Sequence, residues 1–291
     1  MVHSTMQTVH DLEPLRQQIA QWRQAGQRIA LVPTMGNLHA GHLALVHHAQ
    51  RLAPKVVTSL FVNPSQFGPS EDFSAYPRTL AEDQAKLIAV GCDLLFCPTM
   101  DAVYPRGTEA TTKVEVPGLS QRLCGAFRPG HFAGVAQVVC KLFNMVQADI
   151  AVFGEKDRQQ LLVIQRMVAD LNLPIEVIGS PTVREADGLA MSSRNAYLTP
   201  EQRALAARLY QTLCRARDRL AAGERDYPAI EHAALADLTA MGFKPDYVRI
   251  VRAEDYADPD PHDSRDSSLV IAAAAWLGRA RLIDNIKWDL G

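Results

Sequence analysis

The sequence predicts the α/β class: a doubly wound parallel sheet followed by a second, smaller α+β unit. Three observations predict it. Short apolar runs alternate with helical patterns as far as residue 184, the order expected when helices cover both faces of a parallel sheet. The first of these runs ends in a Gly-containing turn that opens a helix, as Rossmann-like nucleotide-binding units do. Beyond Arg184 the texture changes to Ala-rich amphipathic stretches and then to three strand-like runs.

Taken in order, the strand candidates of the large unit are 28–32, 56–62, 93–97, 150–153 and 175–178, and the helices are 39–52, 80–90, 132–147 and 158–171. In the second unit a helix is expected near Thr199, with the threonine as cap and Pro200 in the first helical position. Amphipathic segments continue to about Met241. Strands are expected at 247–251, 269–275 and 281–286, with a polar loop at 258–264. A boundary between residues 184 and 185 follows, since 291 residues exceed the usual size of a single core.

Composition narrows the function. Thirty basic against thirty-two acidic residues give a net charge of −2, without a basic tail or arginine run, so no nucleic-acid footprint is expected and any phosphate site must be local. No stretch approaches the roughly 20 apolar residues of a membrane span, and residues 1–11 carry no apolar signal core, so a cytoplasmic protein with no membrane partner is expected. Five cysteines, Cys92, Cys97, Cys124, Cys140 and Cys214, form no C-x-x-C pair. They read as small apolar side chains rather than disulfides or zinc ligands.

Two stretches carry the chemistry. The run 33–42, PTMGNLHAGH, reads as a strand end, a turn and a helix start bearing His39 and His42, which aims backbone N–H groups and imidazoles at an anion. The run 191–194, MSSR, offers the hydroxyls of Ser192 and Ser193 and the permanent charge of Arg194 to the same phosphates. The P-loop and G-x-G-x-x-G signatures are absent, which disfavours a P-loop kinase or an ordinary dinucleotide dehydrogenase. Rival readings of the two histidines are a metal pair, which lacks the H-E-x-x-H pattern, or a structural pair.

The pairing of H-x-G-H with M-S-S-R resembles the HIGH and KMSKS motifs of class I aminoacyl-tRNA synthetases and related nucleotidylyltransferases. More closely, six co-linear segments resemble the pantothenate synthetase family over nearly the whole chain: PTMGNLHAGH at 33–42, FVNPSQF at 61–67, YPRT at 76–79, RPGHF at 128–132, FGEKD at 153–157 and MSSRN at 191–195. Arg194 stands where a KMSKS lysine would, and no anticodon-binding extension or basic surface is present, which speaks against tRNA charging.

The resemblance implies an ATP-dependent ligase that joins pantoate to β-alanine through a pantoyl adenylate, with Mg²⁺, usually as a homodimer. It places ATP on Met35, Gly36, Asn37, Leu38, His39, Ala40, Gly41 and His42, with Gly154, Glu155, Lys156, Asp157, Val183, Met191, Ser192, Ser193 and Arg194 completing the nucleotide site. His42, His39, Lys156 and Arg194 become the catalytic set. Gln66 and Gln160 would hold pantoate, Gln66 also lying near β-alanine, while Pro33 and Met35 cover the gem-dimethyl group. The expected magnesium ligand is Asp83. Residues 1–184 thus become a Rossmann-like ATP- and pantoate-binding domain and 185–291 the domain that carries the M-S-S-R loop.

Each assignment has a plainer rival. Gln66 could cap a turn, Gln160 could be a surface helix residue, Lys156 could pair at the surface with Glu155 or Asp157, and Asp83 could be a solvated helix residue. As functions, the ligase competes with a nucleotidylyltransferase or truncated synthetase and with a non-catalytic nucleotide-binding module. Converging cations beside a second polar pocket favour the ligase.

Overall fold

The structure, a computed structural model, describes residues 6–69, 71, 73–260 and 268–289. The chain opens with a strand that periodicity did not flag, β1 (Gln7–Val9), and a helix α1 (Leu12–Gln24). Three residues are too few to show a period of two, and β1 is fixed only by parallel pairing with a later strand, Thr8 opposite Leu95.

β2 (Ile29–Thr34), α2 (Ala40–Leu52), β3 (Lys55–Leu60), α3 (Leu80–Ala89) and β4 (Leu94–Phe96) follow as two strand–helix units, and the short helices α4 (Met100–Val103) and α5 (Cys124–Phe127) lead into α6 (His131–Val146). β5 (Ile150–Gly154), α7 (Arg158–Asp170) and β6 (Glu176–Ser180) close the half. All six strands are parallel, in the order β1-β4-β3-β2-β5-β6. β2 alternates between two layers: Ala30 and Val32 pack with α2 and α3, while Ile29 and Leu31 pack with α1, α6 and α7. Burial on both faces is why these strands read as continuous apolar runs.

The strand order reverses between β2 and β5, and ligands bind beyond the carboxyl ends of the strands at such a point. Pro33 sits there, inside a central strand, where a proline would ordinarily break the ladder. Pairing of β2 with β5 ends at Leu31 opposite Ala151, two residues earlier, while pairing with β3 continues to Thr34. The missing N–H therefore falls where β2 has already parted from β5.

The C-terminal part contains α8 (Pro200–Ala206), α9 (Arg208–Ala221), α10 (Tyr227–Ala240) and an antiparallel meander of β7 (Lys244–Arg252), β8 (Ser268–Leu277) and β9 (Ala280–Asp289). Thr199 caps α8 as expected: its hydroxyl accepts from Gln202 N at 3.3 Å, and its own N–H donates to Gln202 Oε1 at 3.1 Å. Val270, Ala272 and Ala274 face the core of the parallel sheet, whereas Leu269, Ile271, Ala273 and Ala275 face α9 and α10. Of the expected polar loop 258–264, residues 261–264 lie outside the described residues. None of the described helices is long and apolar enough to cross a membrane. All five cysteines are free thiols, with Cys92 and Cys124 buried.

Candidate functional site

The loop from β2 to α2 is fixed from below. Gly36 and Asn37 both take positive φ, which turns the chain sharply enough to bring two consecutive amides onto one carboxylate. That carboxylate is Asp83 of α3, fully buried: Oδ2 accepts from Asn37 N at 2.8 Å and from the Thr79 hydroxyl at 3.1 Å, and Oδ1 accepts from Leu38 N at 2.7 Å. Lys86 donates to the Leu38 carbonyl at 2.8 Å. Asp83 is therefore neither solvated nor an open magnesium ligand. Its oxygens are committed to the loop, a correction to its expected role.

His39 caps α2. Its Nδ1 accepts from Gly41 N at 3.1 Å, and the Nδ1 of His42 accepts from His39 N at 3.3 Å. Those backbone donors leave Nε2 as the protonated nitrogen of each ring. The rings lie 4.0 Å apart, and the first sits over Gly41, where a Cβ would come within 2.9 Å of its atoms. Burial, with the charge of Lys156, lowers the pKa of His39 to about 4; burial, with the neighbouring His39, lowers that of His42 to about 3. Both are neutral N–H donors at neutral pH.

The 191–194 loop approaches from the other side. Ser193 Oγ donates to the Asn37 carbonyl at 3.3 Å, so motifs more than 150 residues apart in sequence meet. Ser192 folds back on its own loop, accepting from Arg194 N at 3.3 Å. Val183 anchors the approach, its carbonyl accepting from Met191 N at 3.0 Å. At the end of β5, Lys156 lies 3.7 Å from Asp157 and is only 18% exposed, inside the cleft rather than on the outer surface. Burial opposes ionisation of Asp157, but the charges of Lys156 and Arg194 outweigh it and hold the carboxyl below the usual range. Asn285 of β9 donates to the carbonyls of Glu155 and Lys156 at 2.9 and 3.0 Å, so the C-terminal sheet pins the lysine's loop.

Beyond these loops lies a cavity of about 220 Å³ whose walls include Pro33, Met35, His39, His42, Lys156 and Arg194, together with Gly154 and Val183. Gly36, Asn37 and Leu38 shape the loop but do not line the cavity, nor do Ala40 and Glu155. A larger cavity of about 590 Å³ adjoins it between α5, α7 and the meander, with Lys156, Asp157, Gln160, Ser192 and Arg194 shared by both.

The two candidate glutamines differ in what holds them. Gln66 ends the single turn Pro64–Gln66; the turn is capped by Asn63, so the capping role considered for Gln66 belongs to its neighbour. Asn63 also donates to Gln66 Oε1 at 3.1 Å, which leaves the Gln66 NH2 directed toward Met35 Sδ, 3.1 Å away, on the cavity wall. Gln160 lines both cavities. Its neighbour Gln159 is structural, bonding Leu119 O, Arg122 O and Cys124 N. Sequence reasoning missed Asn63 and Asn285, which act through backbone partners 71 and about 130 residues away.

Comparison with known proteins decides what this cleft belongs to. Residues 7–287 match the family described as pantoate-beta-alanine ligase. The chain belongs to that family. The ligase is 58% identical to a pantothenate synthetase of Thioalkalivibrio sulfidiphilus, over 98% of this chain and 99% of the relative. It is 56% identical to one from Pseudomonas putida, over 98% of both. Among solved structures it resembles the pantothenate synthetase of Thermus thermophilus, with a TM-score of 0.89 and 46% identity over 97% of this chain and 99% of that one. It also resembles a pantoate-beta-alanine ligase from Francisella tularensis complexed with beta-gamma ATP and beta-alanine, with a TM-score of 0.78 and 30% identity over 97% of both chains. The activity of this ligase is accordingly ATP-dependent condensation of pantoate with β-alanine.

Proposed function

We propose that this cleft carries out the condensation in two steps, with the residues on its walls in distinct roles. In the first, a pantoate carboxylate oxygen attacks the α-phosphorus of ATP and the bond to pyrophosphate breaks, giving pantoyl adenylate. In the second, the amine of β-alanine attacks the acyl carbon, the acyl–phosphate bond breaks, and AMP leaves as the nitrogen loses a proton. No enzyme nucleophile is required.

The first step builds charge on phosphate oxygens, and fixed donors that need not reorganise stabilise it. His39 and His42 supply neutral Nε2–H groups, Lys156 and Arg194 supply charge, Ser192 supplies a hydroxyl, and Ser193, whose hydroxyl proton goes to the Asn37 carbonyl, holds its loop against the phosphates. Gly154, Asp157, Val183 and Met191 frame the nucleotide, and Glu155 acts only through the backbone that carries Lys156. Gln66 and Gln160 hydrogen-bond the pantoate hydroxyls, and Pro33 and Met35 cover its methyl groups. Support for the reading comes chiefly from one observation: the histidine-bearing helix start and the Met-Ser-Ser-Arg loop meet at Ser193 and Asn37, with Lys156 on the adjoining wall.

Among the described residues no group of three His, Cys, Asp or Glu side chains could hold a metal, and Asp83 has no uncommitted face. Magnesium would enter with the ATP phosphates and neutralise part of their charge, beside Lys156 and Arg194 on the cavity wall. In this reading residues 1–184 form the ATP- and pantoate-binding domain, residues 185–291 form the domain that brings the Met-Ser-Ser-Arg loop to it, and the ligase works in the cytoplasm as a homodimer.

Pantoate-dependent exchange between pyrophosphate and ATP in the absence of β-alanine tests the scheme. Exchange with pantoate alone, and AMP rather than ADP as product, is the expected result. Exchange supported by an amino acid in place of pantoate would overturn it.

A further inference from the structure

Gln66 is held differently at its two ends. Its side-chain amide is oriented by Asn63, and the backbone before it is packed against the first turn of α6 so closely that a Cβ on Gly134 would lie 2.2 Å from the Ser65 carbonyl. Beyond it the chain leaves for the segment that carries Glu71. There the Gln66 carbonyl accepts from His131 Nδ1 at 2.8 Å. The other ring nitrogen, Nε2, accepts from Arg128 Nη1 at 3.0 Å, and the remaining nitrogens of that guanidinium grip Glu71 in a fork, Nε to Oε1 at 2.7 Å and Nη2 to Oε2 at 2.6 Å.

This chain of bonds is not an ordinary surface ion pair, whose worth is small. Arg128 and Glu71 are only 16% and 22% exposed, every guanidinium nitrogen has a partner, and each donor faces an acceptor only while His131 is neutral with its proton on Nδ1. Burial and the charge of Arg128 lower the pKa of His131 to about 4, in keeping with that form. The three residues line the larger cavity but not the smaller one, and their link to the Gln66 turn is the bond from His131 to its carbonyl.

We propose that Glu71, Arg128 and His131 form a positioning relay that sets the Gln66 turn for pantoate, and so govern use of the acid without touching the nucleotide. The proposal rests on the reading of Gln66 as a pantoate-binding residue. The relay fixes the Gln66 carbonyl and hence the reach of its NH2 group, where a displacement of about 1 Å can cost on the order of a hundredfold.

The experiment is pantoate-dependent pyrophosphate exchange, with KM measured separately for pantoate and ATP, in Glu71→Gln, Arg128→Lys, His131→Ala, His131→Asn and Gln66→Ala. Arg128→Lys keeps the charge but loses the fork, and His131→Ala removes both links. Each should raise the pantoate KM roughly tenfold to a hundredfold and leave the ATP KM within about twofold. His131→Asn retains a donor near the Nδ1 position and should recover most of the loss. Combined with Gln66→Ala, the relay substitutions should add nothing, because they act through that residue.

Equal losses for ATP and pantoate, or full additivity with Gln66→Ala, would overturn the relay while leaving Gln66 in its role. So would Glu71→Gln, the mildest change, leaving the pantoate KM at its original value while Gln66→Ala raises it. An unchanged pantoate KM in Gln66→Ala would instead remove the residue from the pantoate site, and the relay with it.

Discussion

The two arms that enclose the nucleotide site are held by different means. The 35–42 arm is tied into the parallel sheet's own layers: a buried carboxylate takes the amides of Asn37 and Leu38, Lys86 takes the Leu38 carbonyl, and the Thr34 hydroxyl bonds Ser59 O at 2.8 Å. The 191–194 arm is shaped by local bonds, from Met191 N to Val183 O and from Asn195 Nδ2 to Ala190 O at 3.1 Å, with Ser193 reaching across to Asn37. One arm is preorganised and the other is tethered at its ends. Donors that act on a transition state belong on the first kind of support, and groups that must part to release product belong on the second.

That contrast is sharpest in turnover. His42→Ala removes a donor from the rigid arm and Lys156→Ala removes a cation from the loop pinned by Asn285; each should lower the single-turnover adenylation rate roughly 10²–10³-fold. Ser192→Ala should cost about tenfold or less. A serine loss as large as the histidine loss would put the two arms on an equal footing.

A smaller effect separates the arms by stability. Asp83→Ala leaves one buried and one half-buried amide without an acceptor and should lower the unfolding free energy by about 2–4 kcal/mol, with weaker ATP binding. Ser193→Ala deletes one partly exposed bond and should stay within about 0.5–1 kcal/mol. Chemical denaturation and ATP titration of both variants measure the difference; a stable Asp83→Ala protein would mean the loop keeps its shape without its anchor.

Acid supplies the gentlest test. His39, His42 and His131 have folded pKa values of about 4, 3 and 4, below the 6.5 of an unperturbed imidazole, so the unfolded chain takes up protons first as pH falls. Stability is fully present above pH 6.5 and is lost progressively toward pH 3–4. Glu71 and Asp157, also held low, add to the loss below their ordinary carboxylate range. A fall in Tm of roughly 5–10 °C between pH 6.5 and pH 4 is expected, reduced in His131→Asn. Amide exchange should quicken at 39–42 before 191–195, because the titrating imidazoles sit on the first arm; the reverse order would contradict the assignment of its protons.

Much of this arrangement is written in local sequence, where the cause is also local. β2, α2, β3, α3 and α6 could be placed within a few residues because periodicity and caps act over one or two turns, and the doubly wound core followed from their alternation. The chemistry of 33–42 and 191–194 was legible for the same reason: histidines at a helix start and a Ser-Ser-Arg run declare donors for an anion wherever they fold. What the tertiary structure alone decided is which groups face one another. Asp83 looks on paper like any helix carboxylate in search of a cation, and only packing beneath the 36–38 turn makes it an anchor. Gln159 and Gln160 are indistinguishable by type, yet their places on one helix commit the amide of the first to the backbone at 119–124 and leave the second on the wall of both cavities. Asn285, Asn63 and the chain from Glu71 to Gln66 act through partners that are distant in sequence or on a separate element, and a hydrogen bond of that kind leaves no periodic trace in the chain because its energy depends on where two backbones arrive rather than on what surrounds either residue in sequence.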